Sequence, residues 1–104
     1  MADTAPELGI AFTDAPRAVP FTDMDVEDTT WRFRVYLQRA ALAKNLAAHG
    51  QQIPVILRRP PDATKLQIVS GFRRIGAALE LGWTGILAHI LELDEDVALR
   101  VAIL

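Results

Sequence analysis

A chain of 104 residues, 51% hydrophobic and 23% charged, has the size and composition of one globular domain with an apolar core. It contains no cysteine, which excludes disulfides, thiolate metal sites and cysteine nucleophiles, and its two histidines, His49 and His89, have no carboxylates placed with them to make a metal site. The net charge of −2 conceals an asymmetry: seven acids stand against Arg17 alone up to residue 30, nine bases against Asp62 alone from 31 to 74, and five acids against Arg100 alone thereafter.

A basic middle inside an acidic chain points to a focused anion site, unless the acidic ends fold over it and neutralise it. Residues 1–17, rich in Ala, Pro, Asp and Thr without periodicity, read as a flexible acidic leader, with the domain proper over 18–104. Val19-Pro-Phe21 suits a short edge strand, where proline is tolerated. Thr29-Thr-Trp-Arg-Phe-Arg34 alternates apolar and basic residues and predicts a half-buried strand, with Trp31 and Phe33 on one face and Arg32 and Arg34 on the other.

From Leu37 to His49 strong helix formers predict a helix, with Leu42 and Leu46 on one side and Gly50 as its left-handed stop. The β-branched run Ile53 to Arg59 and the alternating run Lys65 to Val69 predict a hairpin around the turn residues Pro60 to Thr64. After Ser70-Gly71 the period changes. Phe72, Ile75 and Leu79 share a helical face that Gly82 closes. Ile86 to Ile90 predicts a strand, and the acids of Asp94-Glu-Asp96 open a last helix still in its apolar rhythm at Leu104, so a longer chain is expected.

The order strand, helix, strand, strand, helix, strand, helix predicts a single α/β domain with a small mixed sheet flanked by helices. No apolar run is long enough to span a bilayer, and the N-terminus, with Asp3 and Glu7, lacks the regions of a secretory signal. A cytoplasmic protein is expected.

Arg73 and Arg74 stand at the start of a helix, where the backbone dipole disfavours cations. A strand ending at Ser70-Gly71 leaves the first helical amides without partners, and a residue without a side chain lets a ligand approach the backbone. Those amides and two arginines, whose planar forks bind oxygens in pairs, make an anion site with phosphate the common occupant. The plainer reading is that Ser70 caps the helix and the arginines reach acids in the chain's ends.

The run LAKNLAAHGQQIPVILRR with SGFRRIGAALELGW resembles the N-terminal domain of the ParB family, over roughly Val19 to Leu104. Its carriers are the helix-Gly-X-X-X-Pro block, Leu42 to Val55, and the Gly-X-Arg-Arg block, Gly71 to Ala78. The resemblance implies the ParB/sulfiredoxin-like fold and binding of CTP with Mg2+, with Ser70, Gly71, Arg73 and Arg74 around the phosphates. It also implies Arg34 reaching the nucleotide and the loop from Gly50 and Gln51 to Pro54 bordering base or ribose. Two protomers would close as a clamp on DNA when the nucleotide binds, while a separate C-terminal domain, absent here, reads the DNA sequence.

Several positions depart from that pattern. Phe72 stands where the partitioning proteins usually carry a glutamate tied to hydrolysis, Ile53 replaces a glutamine and Gly76 an arginine. A phenyl ring neither binds Mg2+ nor orients water. Sulfiredoxin activity is excluded, because it needs a cysteine at position 72. The expected function is a nucleotide-binding module of a DNA-associated partitioning or transcription-regulatory protein. The alternatives are a ParB-like nuclease or nucleotide hydrolase, against which the lack of paired carboxylates near the arginines counts, and a degenerate fold serving protein contacts alone.

Overall fold

The computed structural model of the chain describes residues 3–5, 10–12, 15–33 and 39–103. Two short strands, β1 (Asp3–Ala5) and β2 (Ile10–Phe12), pair antiparallel within the stretch expected as a leader. The main sheet has four strands, β3 (Arg17–Pro20), β4 (Val55–Arg58), β5 (Gln67–Ser70) and β6 (Gly85–Leu91), in the order β3-β6-β4-β5. β6 lies parallel to β4 and antiparallel to β3, while β4 and β5 form the expected hairpin, interrupted by a register shift between Ile56 and Leu57. The proline-bearing strand lies at the sheet edge, where a missing N–H costs no ladder bond.

Three helices complete the domain: α1 (Arg39–His49), α2 (Phe72–Glu80) and α3 (Glu95–Ala102). The stops are those that the glycines announce. Gly50 takes φ 71° and its N–H donates to the Leu46 carbonyl at 2.8 Å. After α2 the Gly82 and Trp83 amides bond back to Leu79 and Ala78, the paired bonds of a Schellman cap. Asp94 caps α3, accepting from the Val97 amide at 2.8 Å, and Glu95 and Asp96 complement the dipole of its first turn.

Alternation along the strands sorts the core into two layers. Val55 and Leu57 of β4, Ile68 of β5 and Ile86 and Ala88 of β6 pack with Ile75 and Ala78 of α2. On the other face Val69 packs with Trp31 and with Ala98 and Val101 of α3. The sheet is thus covered on both sides, and α1 packs onto α2. Leu79, expected on the inner face of α2, is 43% exposed; Ala78 takes the buried position, because the helix turns its Ile75–Ala78 edge to the sheet.

The strand expected over 29–34 does not form in the described part, 29–33. Asp28 Oδ1 accepts from both the amide and the hydroxyl of Thr30, at 3.0 and 2.6 Å, and the Arg32 amide bonds back to the Thr29 carbonyl. These turn bonds use backbone groups that a strand would offer to a neighbour. Trp31 is buried and Phe33 is 54% exposed, so the two aromatics do not share a face.

Candidate anion-binding site

The chain passes from β5 into α2 through Gly71, which has φ 107° and caps the helix without any side-chain hydrogen bond. A Cβ there would lie 2.7 Å from Val55 Cβ and 3.2 Å from Arg74 Nη1, so only glycine fits between β4 and the arginine. Its carbonyl starts the helix by accepting from the Ile75 amide at 3.0 Å. The residues of the first turn line a cleft of about 360 Å3.

Ser70, Gly71, Arg73 and Arg74 line that cleft together with Trp31 and Arg32. Arg73 is exposed, Arg74 half-buried and Arg32 exposed. The far wall comes from Phe33 and from Ala102 at the end of α3. Three guanidinium groups therefore line one concavity with the start of a helix, and among the described residues no carboxylate lines it. A site with that balance favours an anion, since the cations and the helix dipole then act in the same direction.

Trp31 holds its place through a polar network under the cleft. Its Nε1 donates to Gln67 Oε1 at 2.7 Å, and the same oxygen accepts from Arg58 Nε at 2.6 Å. Gln67 Nε2 donates to Asp28 Oδ2 at 2.9 Å, and Arg58 Nη1 to the Leu93 carbonyl at 3.0 Å. The Thr30 hydroxyl bonded to Asp28, the Gln67 amide and the Thr30 backbone amide hold its carboxyl below the usual aspartate range, with Arg58 adding a smaller attraction. This buried arginine and its partners fasten the 28–33 loop against the sheet.

The sites expected from sequence are only partly brought together. Ser70, Gly71, Arg73 and Arg74 converge as expected, whereas Arg34 lies outside the described residues. Gly50 and Gln51 do not line the cleft. The Gln51 carboxamide lies along β6 instead: its Oε1 accepts from the Leu87 amide at 2.7 Å and its Nε2 donates to the carbonyls of Leu87 and Ile53. Arg58 is buried beneath Trp31, and Arg59 lines a different cleft. The wall formed by Trp31 and Ala102 escaped the sequence reading. The Asp-Thr-Thr sequence at 28–30, a turn signal, was the clue that the chain bends there.

Phe72, at the expected glutamate position, lines the cleft's edge and packs against both core layers. Among the described residues no group of three His, Asp or Glu side chains converges to hold a metal ion. Among the described residues Ser70 supplies the only side-chain oxygen on this lining, so these residues do not fit a protein-held Mg2+.

The family model of the ParB N-terminal domain matches residues 32–104. No curated protein matches the chain. Among solved structures it is similar to the C-terminally truncated chromosome-partitioning protein ParB from Caulobacter crescentus complexed with CTP-gamma-S, at 26% identity and a TM-score of 0.74, over 86% of this chain and 51% of that one. The same protein complexed to the centromeric parS site matches at 25% identity and 0.64, over 84% and 44%. Sulfiredoxin from Arabidopsis thaliana shares the fold, at 18% identity and 0.65, over 88% and 99%. The chain spans about half the length of the ParB structures it matches.

Proposed function

We propose, for a chain that belongs to the ParB N-terminal domain family, that it is the nucleotide-binding module of a DNA-associated partitioning protein. In this reading the cleft at Ser70–Arg74 holds the phosphates of a cytidine nucleotide. The observation that carries it is the convergence of Arg32, Arg73 and Arg74 on the start of α2, in a cleft that no carboxylate lines among the described residues. The complex of a similar structure with CTP-gamma-S supports the choice of ligand.

Each group has a distinct part. In this reading the first-turn amides donate to phosphate oxygens. Arg74, half-buried beside Gly71, then meets the inner phosphate, and the exposed Arg73 and Arg32 the outer ones. Phe72 offers no proton acceptor, and among the described residues the lining supplies no carboxylate to activate water. Binding is therefore favoured over hydrolysis. DNA contact and self-association on ligand binding belong to the longer protein in this proposal.

The test is calorimetric titration of the chain with CTP, ATP and GTP in the presence of Mg2+, beside Arg73→Ala and Arg74→Ala. Binding of CTP that both variants weaken, with their fold intact by circular dichroism, is the expected result. Unchanged affinity in both variants, or no nucleotide binding, would overturn the assignment of this cleft.

A further inference from the structure

At the opposite end of the sheet lies a second cleft, of about 520 Å3, between the sheet and the short helical turn Phe21–Asp23. Period-2 alternation builds it. Arg17 shares a face of β3 with buried Val19, and Arg59 continues the alternation of Val55 and Leu57 one residue past β4. The two arginines thus flank the half-buried Ile90 of β6, the strand between theirs. Lys65, at the end of the hairpin loop, adds a third cation, and Thr22 and Thr64 add hydroxyls.

Among the described residues Asp23 is the single acid on this lining, which leaves an excess of two positive charges there in a protein whose overall charge is −2. Among the described residues, no hydrogen bond or ion pair joins the side chains of Arg17, Arg59 or Lys65 to a partner. Like charges on three separate segments repel one another at a cost in stability, and an anion between them relieves it. Two guanidinium forks, an ammonium and two hydroxyls form a donor set suited to phosphate oxygens.

We infer that this cleft is a second phosphate-binding site, distinct from the one at Ser70–Arg74 and independent of the nucleotide reading. Its ligand bears phosphate groups, either as a free phosphorylated molecule or as the backbone of a nucleic acid passing over the exposed Arg59 and Lys65. Sheet β3-β6-β4-β5 separates the two sites, so a ligand in one leaves the other open.

The experiment follows the NMR signals of the isotope-labelled chain during titration with pyrophosphate, with a short duplex DNA of arbitrary sequence, and with a glutamate oligomer. Pyrophosphate or duplex is expected to shift the signals of Arg17, Arg59 and Lys65. That response should persist in Arg74→Gln and weaken by roughly tenfold or more in the double variant Arg59→Gln/Lys65→Gln. Both substituted side chains are exposed, so the double variant should keep the wild-type spectrum elsewhere. A response to pyrophosphate identifies a free ligand, and a response to duplex alone identifies a polymer backbone. Shifts confined to residues 70–74, no response to either phosphate probe, or equal affinity for the glutamate oligomer would overturn the inference. Failure of the nucleotide reading would instead appear as silence at residues 70–74 while Arg17, Arg59 and Lys65 respond.

Discussion

The Arg58 guanidinium lies over the Trp31 indole, 5.5 Å from the ring centroid, and both side chains donate to the same acceptor, Gln67 Oε1. This relationship ties a buried cation beneath the sheet to a wall of the anion cleft. Replacing Gln67 by alanine strands two buried donors at once, a loss of roughly 2–4 kcal/mol on the usual cost of unsatisfied groups. Urea unfolding should read that loss. Because Trp31 and Arg32 then lose their anchor, the same variant should also weaken anion binding at Ser70–Arg74 without touching a residue of that lining.

Asp28 makes the network pH-dependent. Its carboxyl is held below the usual aspartate range in the folded state, chiefly by the Thr30 hydroxyl and Gln67. A depressed carboxyl contributes stability that is present above the unfolded pKa and is lost as pH falls through the folded one. The stability difference between wild type and Asp28→Asn should therefore be largest near neutrality and shrink from about pH 5 toward pH 2. Denaturant midpoints measured across that range check the sign. A difference that grows on acidification would contradict it.

Two glycines with positive φ should respond unequally to alanine. At Gly50, φ is 71° and a Cβ meets nothing within 4 Å, so Gly50→Ala carries the backbone strain alone, about 1–2 kcal/mol. At Gly71 the strain at φ 107° is joined by overlap with Val55, and Gly71→Ala should cost roughly 2–4 kcal/mol. Thermal melts of the two variants side by side test the ranking. Adding Val55→Ala to the Gly71 variant should recover less than its clash cost, because Val55 is fully buried and its loss opens a cavity.

Gln51 continues the sheet with a side chain. Its carboxamide accepts from and donates to the backbone of Leu87, as a neighbouring strand residue would. Gln51→Ala should lower stability by roughly 1–2 kcal/mol, since the bonds it loses are partly open to water. CTP affinity should stay close to wild type. A large fall in affinity with stability unchanged would instead place Gln51 at the ligand.

Period and punctuation in the sequence determined most of the elements. The change from alternation to a 3.6-residue rhythm after Gly71, the glycines at 50 and 82 and the acids at 94–96 act over a few residues, and the helices and the hairpin follow them. The convergence of Ser70, Gly71, Arg73 and Arg74 was legible for the same reason, since they are neighbours in the chain.

Contacts over long separations belonged to the tertiary structure alone. Gln67 meets Trp31 across 36 residues, and Gln51 meets Leu87 across 36 as well. Those bonds decide that the 28–33 segment is a turn carrying Arg32 into the cleft, that Arg58 is buried, and that Gln51 serves the sheet. The bend at 28–30 has its own local signal in Asp-Thr-Thr, whereas no local propensity encodes the burial of Arg58 or the docking of Gln51. They arise when packing brings together polar groups that must find partners once water is removed. Alternating Trp, Arg and Phe residues favour a strand only if a neighbouring edge is available, and here Asp28 holds the segment as a turn.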